Sequence, residues 1–517
     1  MGQALNTSLT EIAHSERIET PKISFRNHQK VLFVTSELND LIKVGGLGDV
    51  AAALPRALNA YHDMRVLIPG YKQVLESGYP IRVVARLEGH AALPRCHLGR
   101  IDLPDGLIVY VVLNEALYNR SGTPYGDIEG RDWPDNHIRF ARFALAAAQL
   151  AAGEAKLAWE PELVHANDWP SGLAPAYMKW MGLDKTSVFT IHNLAYQGLC
   201  DPRCLSEFGL PSEFGSAQGM EYYGKLSLLK AGINYADHIT TVSQTYAHEI
   251  TTPEFGCGLE GLLAFKARQG LLTGIANGID EDFNPTNDAH LLGHFDSHRW
   301  EGRAENTRYV EQYFALQQDE SPLFSVVSRL VHQKGIDLTI EVTDHLVKQG
   351  GRLAVLGRGE RHLEERMKEL EARYPGRVGV HIDFTETLAR RMFAGSDFLL
   401  MPSVYEPCGL SQMYAQCFGS LPVARRTGGL ADTIVDGVTG ILFDKLDPQE
   451  YMHALDRSFA IHRNPPLMRA MRCKAMATPN YWQQAVRPYA SLYGSLVDQQ
   501  THLSKAHTLS MVQACLG

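Results

Sequence analysis

Residues 30–58 read KVLFVTSELNDLIKVGGLGDVAAALPRAL. An apolar, β-branched run is followed by polar residues, then by three glycines within four positions, then by a helix-forming segment rich in Ala and Leu. A buried strand feeding a helix through a glycine turn is the unit from which doubly wound parallel sheets are built. Gly45, Gly46 and Gly48 permit a tight turn, close backbone approach and exposed N–H groups at a helix start, the elements of an anion cradle. Lys43 adds a mobile positive charge. The stretch is neither a Walker A motif nor a complete GxGxxG fingerprint. It leaves two uses open, packing alone or contact with a phosphate or sugar.

The unit repeats outward from there. MRVLIPG (64–70), LIVYVVLN (107–114), ELVHAND (162–168), SVFTIHN (187–193) and HITTVS (238–243) are further short buried runs ending in polar or small residues. The pattern then restarts with LFSVVSRL (323–330), GRLAVLG (351–357), VGVHID (378–383), DFLLMPS (397–403) and LPVARR (421–426). The reading is α/β, with two successive Rossmann-like doubly wound domains facing a cleft. The division falls at 1–29 for a polar tail, 30–270 and 271–478 for the two domains, 479–500 for a C-terminal helix, and 501–517 for a second tail. Residues 287–320, rich in His, Arg and Glu, read as a surface helical insertion. FALAAAQLAAG (143–153) reads as a buried helix rather than a membrane span, because Arg139, Arg142 and Lys156 lie close by.

A chain of 517 residues is too long for one core. Its formal net charge is −9, without a long basic run, which speaks against wholesale binding to nucleic acid or anionic membranes. The N-terminus lacks the apolar stretch of a secretory signal. Eight scattered cysteines without a CxxC pair suit reduced thiols in the cytoplasm. Cys200 and Cys204 with His192 and His97 offer zinc donors, but their spacing matches no compact zinc pattern.

Ligands of such sheets bind outside the carboxyl ends of the strands, so polar residues just after strands are the candidates. SRLVHQKG places Arg329 and Lys334 after the first strand of the second unit, a planar fork and a point charge suited to a diphosphate. PSVYEPCGLSQMY places Glu406 in a rigid turn entering a helix, where a carboxylate can accept sugar hydroxyls or act in catalysis. RRTGGLADT supplies a second glycine pair, Gly428 and Gly429, as a further anion nest. His165, Asn167 and Asp168 end one strand of the first unit, and His192 and Asn193 end another. Each has a bland reading as a structural strand end, but their convergence on one rim points to a site.

Taken together, KVGGLGDV, HANDWPSGLAPAY, FTIHNLAYQG, KAGINYADHITTVSQTYAHEI, ANGID, VVSRLVHQKGIDL, PSVYEPCGLSQMY and RRTGGLADT resemble the bacterial glycogen synthase and plant starch synthase family, in the family's order and over about residues 30–492. The resemblance implies a retaining glycosyltransferase of GT-B fold that uses ADP-glucose and an α-1,4-glucan, with no cofactor and no metal. It implies that Lys43, Gly45 and Gly46 contact the nucleotide sugar and that Tyr125, Asp168, His192 and Asn193 line the glucose and acceptor side. Asn277 would face the cleft, and Arg329 and Lys334 would bind the diphosphate. Glu406 would sit against the glucose, backed by Cys408, Gly409 and Leu410. Thr427, Gly428, Gly429 and Leu430 would hold the distal phosphate, and Phe384 would lie against adenine. Tyr414 stands where many retaining relatives carry a second glutamate, which agrees with the ADP-glucose synthases. Asn167 departs from the family's frequent His, and LGRGE (356–360) from its acidic GxGD. Competing readings are a GT-B enzyme with another donor, a glucan-binding homologue without catalysis, and a nicotinamide-dependent oxidoreductase.

Overall fold

The computed structural model describes residues 29–500. The first domain is built on a nine-stranded sheet. Its strands are β1 (Lys30–Val34), β2 (Asp63–Pro69), β3 (Arg82–Leu87), β4 (Cys96–Asp102), β5 (Ile108–Leu113), β6 (Leu163–Asn167), β7 (Thr186–Ile191), β11 (His238–Thr241) and β12 (Leu272–Gly274). Their order is β12-β11-β7-β6-β1-β2-β5-β4-β3. All neighbours are parallel except β3–β4 and β4–β5. Three short strands, β8 (Leu199–Cys200), β9 (Glu221–Tyr222) and β10 (Lys225–Ser227), form a separate small sheet. The second domain has six strands, β13 (Leu323–Val327), β14 (Arg352–Leu356), β15 (Val378–His381), β16 (Phe398–Met401), β17 (Leu421–Arg425) and β18 (Ile441–Phe443), in the order β15-β14-β13-β16-β17-β18, all parallel.

The buried runs of the sequence are the central parallel strands, whose residues are covered on both faces. The antiparallel edge pair β3–β4 carries no such run. β3 is mostly exposed, so burial does not impose an apolar signature on it. In each sheet the order reverses at one strand. β1 lies between β2 and β6, and β13 between β14 and β16. The crevices outside the carboxyl ends of β1 and β13 are therefore the expected ligand positions. The glycine turn follows β1, and Arg329 and Lys334 follow β13.

Two sequence expectations need correction. β12 pairs with β11, so the first sheet extends past the expected division at 270/271. Residues 287–320 are not a surface insertion. Helix Glu301–Tyr313 buries Asn306, Val310 and Glu311, and Arg303 reaches Ser396 O beneath the second sheet. Its high charge misleads because two of its charged residues, Arg303 and Glu311, are buried, while Glu301, Glu305 and Arg308 face solvent. Glu311, for example, is paired with buried Arg352 at 2.5 Å.

Helix Asn136–Ala151 is buried over most of its length, and Arg139 and Arg142 are buried with it. Arg139 donates to the carbonyls of Leu117 and Pro124, and Arg142 to Gln149, so neither cation is left without partners. At the C-terminus, Ile279 bridges Tyr481, and the following helix over 487–500 lies on the first domain. There Tyr489 and Tyr493 are buried, and Tyr493 Oη is 2.5 Å from His165 Nδ1. Among the described residues no helix is long and apolar enough to cross a membrane.

Candidate active site

In the first domain, the turn after β1 is organised by a residue that the sequence reading overlooked. Glu37 is buried and accepts hydrogen bonds from Val44 N at 2.7 Å and Gly45 N at 2.9 Å through one carboxylate oxygen. Its other oxygen accepts from Tyr125 Oη at 2.6 Å, and that hydroxyl lies 2.9 Å from Ser36 Oγ. Two N–H groups of the expected anion cradle are thus already satisfied from within the chain. Tyr125 acts as support for the turn. Lys43 folds back onto the helix it precedes and pairs with Asp49 at 2.6 Å. The sequence expectation of a mobile cation at this entrance is corrected to a cation held by the first turn of its own helix. A side chain on Gly45 would meet nothing within 4 Å, and one on Gly46 only Leu410 of the second domain at 3.8 Å. This turn keeps open space beside its backbone.

The ends of β6 and β7 meet in a small hydrogen-bonded cluster. Asp168 has φ 55°, a left-handed conformation that Asp tolerates better than most residues. Its Oδ1 accepts from the backbone N–H of His192 at 2.7 Å and of Asn193 at 3.4 Å. Burial outweighs those donors and pushes the Asp168 pKa up to about 7. His192 Nε2 donates to Asn167 Oδ1 at 2.9 Å, while the Asn167 amide donates to Val34 O at 3.1 Å. Burial pushes the His192 pKa down to about 3, so the imidazole is neutral. Asn167, a departure from the family pattern, is the group that orients His192 and ties three strand ends together.

In the second domain, Lys334 leaves the short 3₁₀ turn His332–Lys334 and donates to Glu406 Oε2 at 2.6 Å. Ser403 Oγ donates to the same oxygen at 3.0 Å. Glu406 is 5% exposed, and these two donors satisfy its buried oxygen. Gln333 braces the turn by donating to Tyr405 O at 2.8 Å. Arg329 is exposed at the mouth, 3.5 Å from Gln333 Oε1. Cys408 is buried, and burial pushes its thiol up to about 12 despite hydrogen bonding from Asn277. Asn277 is itself buried, and its Oδ1 has no protein partner. Gly409 has φ 70° and precedes Leu410 at the start of helix Ser411–Cys417. Phe384 is 56% exposed beyond the end of β15, open to stacking. Tyr414 stacks on Phe283 with ring centroids 3.8 Å apart, an apolar role for the position where relatives place a carboxylate.

The second glycine pair differs from the sequence expectation of an open nest. A Cβ on Gly428 would lie 1.9 Å from Glu406 O, and one on Gly429 2.0 Å from Cys408 O. Gly429 N donates to Glu406 O at 3.0 Å. The pair therefore lets the Thr427 turn pack onto the backbone that carries Glu406. Its donors are also taken. Glu249 of the first domain accepts from Thr427 Oγ1 at 2.9 Å and from Gly428 N at 3.0 Å. In return, Asp432 accepts from Thr245 N at 3.0 Å, next to the start of helix Gln244–Glu249. Ser243 Oγ donates to Pro407 O at 2.6 Å, and Asn193 hydrogen-bonds Tyr405. These contacts bring the two rims together and place His192 and Asp168 on the side of the cleft opposite Lys334 and Glu406.

Two nucleotide-binding-type sheets meeting across such a rim define a GT-B glycosyltransferase. Comparison with known proteins agrees. The starch synthase catalytic domain family matches residues 30–265, and glycosyl transferases group 1 matches residues 311–474. The glycogen synthase of Pseudomonas putida is 62% identical over 478 residues, covering 92% of each chain. That of Pseudomonas syringae pv. syringae is 61% identical, covering 92% of this chain and 99% of its own. The catalytic domain of starch synthase IV from Arabidopsis thaliana, solved with ADP and acarbose, superposes with a TM-score of 0.79 at 27% identity, covering 92% of this chain and 99% of its own. The chain belongs to the glycogen synthase family and is a glucosyltransferase.

Proposed function

We propose that this chain transfers glucose from ADP-glucose to the non-reducing end of an α-1,4-glucan with retention of configuration, in the cytoplasm and without a metal or cofactor. The observation that carries the residue assignment is the buried Lys334–Glu406 pair after the two central strands of the second sheet, set across the cleft from neutral His192. The glycogen synthases it resembles and the ADP bound to its structural relative support the choice of donor.

Arg329, Lys334 and the N–H groups of the Gly46 helix start neutralise the diphosphate. Lys334 is shared between phosphate and Glu406, so the carboxylate is held in place while the leaving group gains charge. Glu406 accepts hydrogen bonds from the glucose ring and positions it. The C1–oxygen bond breaks with its electron pair going to ADP. The acceptor hydroxyl attacks C1 from the same face, and its proton passes to the departing phosphate oxygen. A neutral His192 adds no positive charge beside the oxocarbenium-like carbon. Asp168 holds the His192 and Asn193 backbone. Asn277, with its unused buried oxygen, and the backbone at Cys408–Leu410 face the donor, and Phe384 stacks on adenine. Contact between the rims excludes water and favours transfer over hydrolysis.

The test is glucose incorporation into glycogen from ADP-glucose, with UDP-glucose as comparison and EDTA as metal control. Turnover with UDP-glucose alone, or loss of activity in EDTA, overturns the reading. Glu406→Ala and Lys334→Ala are each expected to lower turnover by about a hundredfold or more, the scale of a lost electrostatic contact in the transition state. Near-normal turnover in either variant removes the role given to it.

A further inference from the structure

Away from the cleft, a second cluster of polar side chains converges where β8 leads into helix Cys204–Phe208. Cys204 and Glu207 lie three residues apart on that helix and so share a face. His137, at the start of helix Asn136–Ala151, points its Nε2 at Glu207 Oε2, 3.2 Å away. One donor atom from each of His137, Cys204 and Glu207 lies within 4.8 Å of the others. Cys200, four residues before Cys204, hydrogen-bonds the Cys204 thiol. The histidine is not among those that the spacing of the cysteines suggested. His192 is engaged with Asn167, and His97 is exposed on β4.

We propose that Cys204, Glu207 and His137, with Cys200 adjoining Cys204, form a structural site for a thiophilic divalent cation, zinc foremost, which pins the β8 segment to the start of the long buried helix. A sulfur, an imidazole nitrogen and a carboxylate are three of the four ligands zinc takes in tetrahedral sites, the fourth position is open to Cys200, and sulfur and nitrogen donors disfavour magnesium or calcium. Among the described residues Glu207 is paired with His137 at 3.2 Å, and Arg203 is paired with Asp201 at 2.8 Å. A dication would deprotonate the thiols and relieve the crowding of acidic groups. The ligands come from two segments that are 63 residues or more apart in sequence, so the metal would act as a cross-link and not as part of the glucosyl-transfer chemistry.

The experiment uses the full chain, stripped with EDTA under reducing conditions and titrated with Co²⁺ and, separately, Zn²⁺. We expect one equivalent of Co²⁺ to produce thiolate-to-metal charge-transfer absorption with tetrahedral d–d bands, and one equivalent of Zn²⁺ to displace it. His137→Ala and Glu207→Ala, whose side chains are partly exposed and tolerant of truncation, are expected to weaken binding by about tenfold or more. Cys204→Ser should abolish the charge-transfer band. Zn²⁺ should raise the thermal midpoint of the wild-type chain and not that of His137→Ala. Glucosyl transfer by these variants at moderate temperature should match wild type. The proposal is overturned if no stoichiometric band forms, if the band survives in a Cys200→Ser/Cys204→Ser double variant, or if the two sulfurs are found joined as a disulfide that resists mild reduction.

Discussion

The two glycine turns look alike in sequence and are opposite in construction. The turn at Gly45–Gly46 leaves room beside its backbone, and Glu37 of the same domain satisfies the N–H groups of Val44 and Gly45. The turn at Gly428–Gly429 has no room, because each missing Cβ would enter the backbone that carries Glu406 and Cys408. Its donors are satisfied by Glu249 from the other domain. The first turn is therefore finished by its own domain and keeps open space beside its backbone. The second is a packing device that is complete only when the domains face each other. A glycine pair after a strand can thus report either ligand approach or chain crossing, and only the neighbours decide which.

The largest test of this contrast is Gly429→Ala. Its Cβ cannot be placed without moving the Cys408 backbone, and a stability loss of about 3 kcal/mol, the upper range for overpacking, is expected together with a fall in kcat. A thermal midpoint equal to wild type would show that the turn is not packed as described.

Next come the two carboxylates. Glu37→Gln is expected to cost about 1–3 kcal/mol, since a buried acceptor of three hydrogen bonds is replaced by a group that must also place an NH₂. Urea unfolding measures this. Glu249→Ala is expected to leave that stability nearly intact, to lower kcat roughly tenfold, equivalent to one charge-assisted hydrogen bond, and to speed amide exchange around Thr427 and Gly428. If Glu249→Ala destabilises the chain as much as Glu37→Gln and leaves kcat unchanged, the distinction between a local and a cross-domain support is lost.

A further effect, read from pH dependence, concerns the first domain alone. Burial holds His165 neutral with its pKa near 3, whereas an unfolded imidazole takes up a proton below 6.5. Stability tied to it is present above 6.5 and is lost as pH falls toward 3. Asp168 has the opposite sign. Its raised value of about 7 against 3.8 makes its contribution complete below 3.8 and lost as pH rises through 7. His165→Asn should flatten the acid limb of the denaturation midpoint against pH, and Asp168→Asn the limb between 4 and 7. Unchanged slopes would contradict the buried environments of β6.

The smallest effect is expected for Gly45→Ala. Gly45 has φ −147°, which alanine adopts freely, and nothing lies near its Cβ. Stability should hold or rise by about 0.5 kcal/mol through the reduced entropy of the unfolded chain, while the KM for donor rises. An unaltered KM would argue that the open space is not used by the substrate.

The central strands were legible because a strand covered on both faces must be apolar along its whole length, and the polar residues that end it stand out. The candidate site was legible for the same reason, since Lys334, Glu406, Asp168 and His192 each follow such a strand. The edge strand β3 was not, because an exposed edge imposes no such pattern, nor was β4 beside it, whose buried residues are interrupted by exposed His97 and Asp102. Nor was the buried face of helix Glu301–Tyr313, where Arg303 and Glu311 lie inside among otherwise exposed charges.

By itself the sequence determined the two doubly wound units, the polar strand ends that gather at the cleft, and the types of charge placed there. Local periodicity and turn chemistry act over a few residues and are written in order along the chain. The tertiary structure alone decided the pairings: Lys334 with Glu406 across 72 residues, Thr427 with Glu249 across 178, Lys43 turned onto Asp49, and His137 brought to Cys204 and Glu207. Such partners are chosen by which surfaces the packed helices bring together, and each buried charge or N–H takes the complementary group that packing delivers.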